Sequence, residues 1–198
     1  MKRNTKLDKA NSYRLSQEVL RNRALSKGVN LIAPETIFLS KDTSFGNNVT
    51  VEPYVVFGPK VKVGNNSYIK SFSHIEGTKI EKNVVVGALS AIHQFSRIGE
   101  GSMIGGMSGV TSDVVPFSTV MGNRAKLSGL NLVGLKRSNF NKTEINELRK
   151  IFKYVFFSEE KTLEFRLKKV KKENQNFYTI NKIFSFLESE TRRSFCMP

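Results

Sequence analysis

The chain has 198 residues, 39% of them hydrophobic, and a net charge of +15, so it is long enough for one substantial core with a small appendage. Its only cysteine, Cys196, excludes a disulfide framework and a multi-cysteine metal site, and it favours a reducing compartment, the cytoplasm. No apolar run approaches the roughly 20 residues that span a bilayer, and the basic start lacks the apolar segment of a secretory signal.

The positive charge is concentrated at the two ends of the chain. Residues 1–30 carry a net charge of +6, residues 31–135 carry +2, and residues 136–198 carry +7. Basic ends suit an acidic protein, nucleic acid or anionic lipid, but they also occur as solvated helix surfaces. The ends lack the aromatic and basic platform of a nucleic-acid binder, so we expect no nucleic-acid partner.

The first predicted element is a helix in the basic segment of residues 1–30. Within residues 8–27, Ala10, Leu15, Val19 and Leu20 form a modest apolar stripe among Arg and Gln residues. We expect this helix to lead into the segment that follows.

A six-residue repeat organises the middle of the chain. A large apolar residue recurs at every sixth position, with one step of five between Ile75 and Ile80. These positions are Phe45, Val51, Phe57, Val63, Ile69, Ile75, Ile80, Val86, Ile92, Ile98, Ile104 and Val110. Small or β-branched residues follow four positions later: Val49, Val55, Val61, Ser67, Ser73, Val84, Ser90, Ser96, Ser102 and Ser108. A helix repeats at 3.6 and an amphipathic strand at 2, so neither alone has this period.

A period of six is typical of a prism with three flat faces, each one hexad wide. Eighteen residues complete a coil, and parallel strands of successive coils stack about 4.8 Å apart. The "GNN" segments at 46–48 and 64–66 allow the chain to turn at the corners. The pattern resembles the hexapeptide-repeat transferases, whose fold is a left-handed parallel β-helix. We predict about four to five such coils over residues 31–121, with a one-residue deletion at the step of five.

The last part of the chain, residues 122–198, is predicted to be a helical domain. Asn141 can cap a helix that carries Ile145, Leu148, Ile151, Phe152, Val155 and Phe156 at helical spacing. A second helix is predicted around Leu163, Leu167 and Val170, and a third around Ile180, Ile183, Phe184 and Leu187. These stripes favour a small helical core over a membrane or cofactor face.

From residue 86 to the end, the sequence resembles the UDP-N-acetylglucosamine O-acyltransferases of lipid A synthesis. The resemblance is carried by "ALSAIHQFSRIGEGSMIGGMSGVTSDVVPF", by "GNRAKLSGLNLVGLKRSNF" and by the closing "SETRRSFCMP". Residues 1–87 resemble the first coils of another family, the bifunctional uridyltransferase and glucosamine-1-phosphate acetyltransferase, through "LRNRALSKGVNLIAPETIFLSKDTSFGNNVTVEPYVVFGP". The two resemblances meet near residues 86 and 87, which suggests a fusion at a shared coil.

The first resemblance implies acyl transfer from acyl carrier protein to the 3-hydroxyl of UDP-N-acetylglucosamine. In that family a histidine general base removes the hydroxyl proton, a task that suits imidazole. The base and a second histidine correspond to positions near Gly58 and Gly77 here, and neither residue is a histidine. We therefore expect an acyltransferase, and the missing base predicts impaired catalysis.

The family residues that do match are His93, Gln94, Asn131 and Arg137. The resemblance implies that His93 and Gln94 line a cleft between subunits, and that Asn131 and Arg137 contact the nucleotide-sugar, where an arginine can hold a diphosphate through paired hydrogen bonds. Val133 and Ser138 depart from the family pattern, which has a glutamate and a second arginine there.

His74 is a candidate substitute for the missing base. Ile75 and Ile92 are three hexads apart, so they should stack in successive coils, with His74 and His93 both pointing outward about 8 Å apart. An exposed position without a catalytic role is the simpler interpretation of His74, and we carry both.

The resemblance also implies a homotrimer with sites between subunits, and the flat faces of a prism favour threefold pairing. The basic C-terminal region suits acidic acyl carrier protein as partner. No spacing of His, Cys or carboxylates is typical of a metal site, so no metal and no cofactor are expected. Two alternatives stay open: a non-catalytic trimeric or nucleotide-sugar-binding module, and an acetyltransferase that uses acetyl-CoA.

Overall fold

A computed structural model describes residues 5–173 and 177–198 of the chain, and its central feature is a parallel β-helix. The predicted fold class is confirmed, with a helix before the coils and helices after them. The chain begins with helix α1, Lys6–Ser26, and then enters the coils at β1, Asn30–Leu31, followed by a short 3-10 turn, Pro34–Thr36.

The coils are built from two-residue strands that fall into three parallel sheets. They are β2 (Ser44–Phe45), β3 (Thr50–Val51), β4 (Val56–Phe57), β5 (Lys62–Val63), β6 (Tyr68–Ile69), β7 (His74–Ile75), β8 (Lys79–Ile80), β9 (Val85–Val86), β10 (Ala91–Ile92), β11 (Arg97–Ile98), β12 (Met103–Ile104) and β13 (Gly109–Val110). Sheet A has the order β1-β3-β6-β9-β12, sheet B has β4-β7-β10-β13, and sheet C has β2-β5-β8-β11. Each strand pairs with the strand of the same face one coil away, as the hexads predict.

The core is a column of the hexad residues. Of the large apolar residues at every sixth position, all are buried except Phe45, which is half-buried. The small residues four positions later are buried as well. The serines among them, unlike the valines, bring a hydroxyl group into the interior. Ser67 donates to Glu81 O, and Ser90 donates to Gly105 O, so their hydroxyls are satisfied by carbonyls of the neighbouring coil.

The step of five between Ile75 and Ile80 is a shortened corner, as predicted. From β2 onward, strand partners before it are 18 residues apart, as in Val56 and His74, whereas Lys62 pairs with Lys79 across 17 residues. Gly77 turns this corner with a φ of +47°, a conformation that favours glycine. The deletion is absorbed in one turn, and the sheets on both sides stay in register.

The three corners of the prism differ in chemistry. The turns from sheet C to sheet A place Asn48, Asn66, Asn83 and Gly101 in the left-handed region, as expected for these residue types. The turns from sheet A to sheet B place Tyr54, Phe72, Leu89 and Met107 there instead, and all four side chains are exposed. The sequence analysis did not predict this exposed apolar row, which we call the A–B corner; the rings of Tyr54 and Phe72 stack with centroids 4.9 Å apart.

Helix α1 is joined to the first coil by few contacts. Thr5 and Asp8 form a capping box at its start. Of the apolar stripe predicted for this helix, Leu15 and Val19 are exposed. The buried residues of the helix are Gln17 and Ala24. The Gln17 amide makes two hydrogen bonds of 2.8 Å with the backbone N and O of Leu39, as another peptide group would.

The far end of the coils is closed by a hairpin and four helices. Strand β14, Ser118–Met121, extends sheet A, and β15, Lys126–Leu130, pairs with it antiparallel. The helices are α2 (Leu132–Arg137), α3 (Lys142–Phe157), α4 (Leu163–Glu173) and α5 (Tyr178–Glu188). Strand β15 and helix α2 were not predicted, whereas the three longer helices were, and Asn141 caps α3 by accepting from Glu144 N. No helix in the described part of the chain has the length and apolarity needed to cross a membrane.

The coil column generates a stability prediction. Ile98 is completely buried in strand β11, so Ile98→Ala leaves a cavity between coils and should lower the free energy of unfolding by about 2–5 kcal/mol. Ile32→Ala is the matched control, because 41% of the Ile32 side chain is exposed, and it should cost less than about 1 kcal/mol. Urea denaturation followed by circular dichroism measures both. Equal losses for the two variants would contradict a core made of the hexad column.

Candidate functional site

The two histidines lie in neighbouring coils beside the turns from sheet B to sheet C. His74 pairs in register with Ala91, and Ile75 pairs with Ile92, so His93 follows two positions after the partner of His74. Both histidine residues are exposed, whereas Ile75 and Ile92 are buried. The predicted stacking and outward orientation are therefore confirmed.

His74 is paired with a carboxylate. Its Nε2 lies 3.2 Å from Oε1 of Glu76, and both side chains are about half exposed. Glu76 accepts only, so the imidazole donates from Nε2, and in the neutral ring Nδ1 then carries the lone pair. A histidine oriented by a carboxylate in this way is a general-base arrangement.

Glu76 also occupies space that the glycine at position 58 leaves open. A Cβ at Gly58 would come within 2.9 Å of Cγ of Glu76, so a histidine side chain at 58 requires this glutamate to move. Position 77 is the shortened corner, where a Cβ would meet Cβ of Gln94 at 3.1 Å. Glu76 and Gln94 of the next coil thus lie against Gly58 and Gly77, the glycines near which the resemblance implies the family histidines.

His93 is held by a residue from the end of the chain. Nη2 of Arg193 lies 2.7 Å from Nδ1 of His93 and donates to the backbone O of Gln94 at 3.0 Å. The adjacent Arg192 places its guanidinium 5.5 Å from the ring centroid of Phe95. These contacts join the turn at 93–96 to the last residues of the chain.

Asn131 and Arg137 lie at a different corner from the histidines. Asn131 caps helix α2 by accepting from Gly134 N, and its Nδ2 donates to the backbone O of Gly101 at 2.9 Å. Gly101 lies in a turn from sheet C to sheet A, and strand β11 separates that turn from His93 within one coil. Arg137 is exposed at the end of α2. The structure therefore brings His74, His93 and Gln94 together and leaves Asn131 and Arg137 on another edge of the protomer.

The C-terminal segment that carries Arg193 is anchored on a buried ion pair. Asp113 is fully buried and accepts from the backbone N and the Nε of Arg97 at 2.8 and 2.7 Å, and from the hydroxyl of Thr191. The backbone of Asp113 also pairs with the segment, donating to Ser194 O and accepting from Cys196 N, both at 2.8 Å. Burial raises the pKa of the Cys196 thiol to about 11. The segment is a docked strand rather than a free tail.

A second polar cluster attaches helix α5 to the coils. Glu100 is buried, and its carboxylate accepts from the hydroxyl of Tyr178 at 2.7 Å and lies 3.4 Å from Nζ of Lys82. Burial and the hydrogen bond to Glu100 raise the pKa of Tyr178. The hydrogen bond with Tyr178 raises the pKa of Lys82, and the negative charge of Glu100 raises it further. Lys182 adds a cation 3.0 Å from Glu81, so the cluster fixes α5 above sheet C.

The sequence analysis missed the partners of both histidines. Glu76 has a weak local signal, since it lies two residues after His74 and both project outward from the same strand edge. Arg193 has none, because 100 residues separate it from His93. Within residues 5–173 and 177–198, no group of three His, Cys, Asp or Glu residues is arranged to hold a metal ion.

Comparisons with known proteins give two family models. Residues 113–196 match the model described as UDP-N-acetylglucosamine O-acyltransferase, domain 2, and residues 42–77 match the model of bacterial transferase hexapeptide repeats. The crystal structure of UDP-N-acetylglucosamine O-acyltransferase from Moraxella catarrhalis matches with a TM-score of 0.68 at 18% identity, covering 85% of this chain and 79% of that one. At this identity the match shows a shared fold.

Among curated proteins, relatives of both predicted kinds are found. The acyl-[acyl-carrier-protein]--UDP-N-acetylglucosamine O-acyltransferase of Aliivibrio salmonicida is 31% identical over 182 residues, 92% of this chain and 64% of that protein. The bifunctional protein GlmU of Azorhizobium caulinodans is 44% identical over 102 residues, 52% of this chain and 23% of that protein. The chain thus spans less than two thirds of each, and its two predicted resemblances are confirmed.

The buried ion pair predicts the reactivity of the single thiol. Asp113→Ala leaves Arg97 without its buried partner, a change that costs about 3–5 kcal/mol, and should release the strand that covers Cys196. Return of the thiol pKa from about 11 to its ordinary value of 9.0 raises the thiolate fraction about 100-fold at pH 8. The rate of reaction with an aromatic disulfide reagent measures this change.

The matched control is Asp42→Ala, which removes an exposed carboxylate that accepts from Lys60 N in another turn. Its thiol should react at the wild-type rate. Circular dichroism separates local release from global unfolding of the Asp113→Ala variant. An unchanged thiol rate in a folded Asp113→Ala protein would contradict the anchoring role of Asp113.

Proposed function

We propose that this chain, which is similar over 92% of its length to a UDP-N-acetylglucosamine O-acyltransferase, transfers an acyl chain from acyl carrier protein to the 3-hydroxyl of UDP-N-acetylglucosamine, a step of lipid A synthesis. The main observation that supports this proposal is the pair of His74 and Glu76, which lies one coil from the His-Gln-Phe turn. It would supply a general base on the edge of the molecule that carries Gly58, near which the resemblance implies the family base. The cytoplasm is the compartment that we propose for this reaction.

In the proposed reaction, His74 is the base and Glu76 orients it. Nδ1 of His74 takes the proton of the sugar 3-hydroxyl while Nε2–H donates to the Glu76 carboxylate. The hydroxyl oxygen forms a new bond to the thioester carbonyl carbon, and the carbon–sulfur bond of the carrier then breaks. The leaving thiolate takes the proton back from His74, so the imidazole ends as it began.

The nucleotide-sugar is proposed to bind between subunits. Asn131 and Arg137 lie on a different corner of the protomer from His74 and His93, so one site can include all four only if two copies contribute. Arg137 would pair with the diphosphate through its guanidinium. The Oδ1 and Nδ2 atoms of Asn131 are both hydrogen-bonded to backbone groups. We therefore propose that the role of Asn131 is to place helix α2 beside the nucleotide.

A homotrimer is supported by the A–B corner. Tyr54, Phe72, Leu89 and Met107 are exposed by 54 to 74% and form one apolar row along the coils. Large side chains at left-handed turn positions cost conformational energy that Asn or Gly would avoid. A second copy packed on this row would bury it, and closure around a threefold axis would repeat the same contact three times.

The proposed docking face for acyl carrier protein is on helix α3. Arg149, Lys150 and Lys153 are exposed on it, within a C-terminal region of net charge +7. Lys150 is paired with Glu147 at 2.7 Å, so an acidic partner competes with one weak surface pair. Attraction of opposite charges would mainly raise the association rate.

Steady-state turnover tests the catalytic assignment. With acyl carrier protein thioester and UDP-N-acetylglucosamine as substrates, His74→Gln should lower kcat/KM by about 100- to 10,000-fold, the usual contribution of a general base. Glu76→Gln should lower it less, because the base remains and only its orientation is lost. Glu35→Gln, an exposed glutamate of the 3-10 turn, is the control and should keep full activity.

The outcomes separate the proposal from its alternatives. Full activity of His74→Gln would overturn the assignment of the base. Binding of UDP-N-acetylglucosamine without turnover by any donor would identify a binding module. Turnover with acetyl-CoA and none with the carrier thioester would identify an acetyltransferase.

Sedimentation velocity tests the subunit interface. Leu89→Asp places a charge in the apolar row and should shift the protein from trimer to monomer, with loss of turnover because the site is shared. Phe157→Asp, at the exposed end of α3, is the control and should stay trimeric. A Leu89→Asp protein that remains trimeric and active would contradict an interface on the A–B corner.

A further inference from the structure

We propose that Arg193 is a positioning residue that fixes His93 as the Nε2-protonated tautomer, so that His93 acts as a hydrogen-bond donor and not as a base. The role in catalysis rests on the proposed acyl transfer, whereas the tautomer can be measured without it. Neither the resemblance nor the sequence pattern assigns any role to Arg193.

The first step of the argument is the direction of one hydrogen bond. A guanidinium has N–H donors and no acceptor, so Nη2 of Arg193, 2.7 Å from Nδ1 of His93, must donate to it. Nδ1 can accept only if it carries a lone pair, which a doubly protonated imidazole lacks at both nitrogens. The contact is therefore specific for a neutral ring whose proton is on Nε2.

A competing contact exists and is weaker. Nδ1 of His93 also lies 3.3 Å from the backbone O of Gln94, and a proton on Nδ1 would allow that bond. Arg193 Nη2 donates to the same oxygen at 3.0 Å, so Gln94 O already has a shorter, charge-assisted donor. Both contacts of Arg193 thus favour an unprotonated Nδ1.

The second step is that the backbone carrying the guanidinium is held in place. Two residues before it, Thr191 donates to the buried carboxylate of Asp113, and its hydroxyl also accepts from Arg193 N. One residue after it, the backbone O of Ser194 accepts from Asp113 N at 2.8 Å. Residues on both sides of Arg193 are hydrogen-bonded to Asp113. The backbone of Arg193 is therefore fixed at a distance from which its guanidinium contacts the turn at 93–96.

The third step compares the two histidines. His74 donates from Nε2 to Glu76 and keeps the lone pair on Nδ1, whereas His93 accepts at Nδ1 and presents Nε2–H. The carboxylate partner therefore makes His74 a base, and the guanidinium partner makes His93 a hydrogen-bond donor, although both residues are histidines. One strand spacing and two residues of rise separate them by about 8 Å, enough to hold a reacting group between them.

The donor has a defined task in the reaction. When the sugar oxygen bonds to the thioester carbon, the carbonyl oxygen takes up the negative charge before the carbon–sulfur bond breaks. Nε2–H of His93 would donate to that oxygen, and the proton stays on nitrogen throughout. Arg193 touches neither substrate in this scheme and acts through the orientation and tautomer of His93.

The test is the ring nitrogen spectrum of His93 by two-dimensional 1H–15N NMR of the full chain. The chain has two histidines, so a His74→Gln sample assigns the signals without ambiguity. In the wild type we expect a protonated Nε2 and an unprotonated Nδ1. Arg193→Met removes the donor at similar length and should give a mixture of tautomers, whereas Arg193→Lys, which can still donate, should restore the Nε2-protonated form.

Arg192→Met is the matched control, because it removes the same charge from the neighbouring residue, which contacts Phe95 and not His93. It should leave the His93 spectrum and turnover unchanged, whereas Arg193→Met should lower kcat/KM by about 10- to 100-fold, the effect of one charge-assisted hydrogen bond. Inactive wild-type protein with the expected tautomer would end the proposed acyl transfer and leave the tautomer assignment standing. A wild-type ring protonated at Nδ1, or an identical spectrum in Arg193→Met, would overturn the inference.

Discussion

The structure depends on keeping a single column of apolar side chains in register from coil to coil. Each of the strands β1 to β13 is only two residues long, so none of them is stable by itself. The stacked residues such as Ile75 and Ile92 supply the burial that holds successive coils together. The outward residues inherit their spacing from this column. His74 and His93 are brought to one edge because the residues beside them are fixed inside, and the shortened corner at Gly77 changes the turn without disturbing that alignment.

How much of this structure the sequence predicts depends on how far apart in the chain the interacting residues are. The hexads specify their own stacking, since each position repeats the environment of the last, and Asn141 marks a helix start within three residues. Strand β15 has no such repeat, because its partner β14 lies across a hairpin and its residues alternate only briefly. The register of the coils predicts the placement of His74 and His93 on one edge, because their inward neighbours Ile75 and Ile92 are strand partners. Arg193 could not be predicted, because a contact across 100 residues depends on how the whole helical region docks.

In the proposed reaction, the general base has moved along a repetitive scaffold. Every coil offers the same outward positions about 4.8 Å apart, so a side chain lost at one position can be replaced from the next. Here Glu76 lies over Gly58, and its contact with His74 creates a carboxylate–imidazole pair one coil away. The docked C-terminal segment supplies the guanidinium contact of His93 through Arg193. The different partners, more than the residue type, give the two imidazoles different protonation patterns.

The contact of Gln17 with the first coil bears on the end-to-end pairing of β-helices. A stack of parallel strands ends in unpaired backbone groups, which are templates on which another copy can add end to end and extend into a filament. The Gln17 amide occupies both the N–H and the carbonyl of Leu39, and the antiparallel β15 with its helices covers the opposite end. One side chain that imitates a peptide group therefore occupies the backbone groups of Leu39, which a strand of a second copy would otherwise need for pairing.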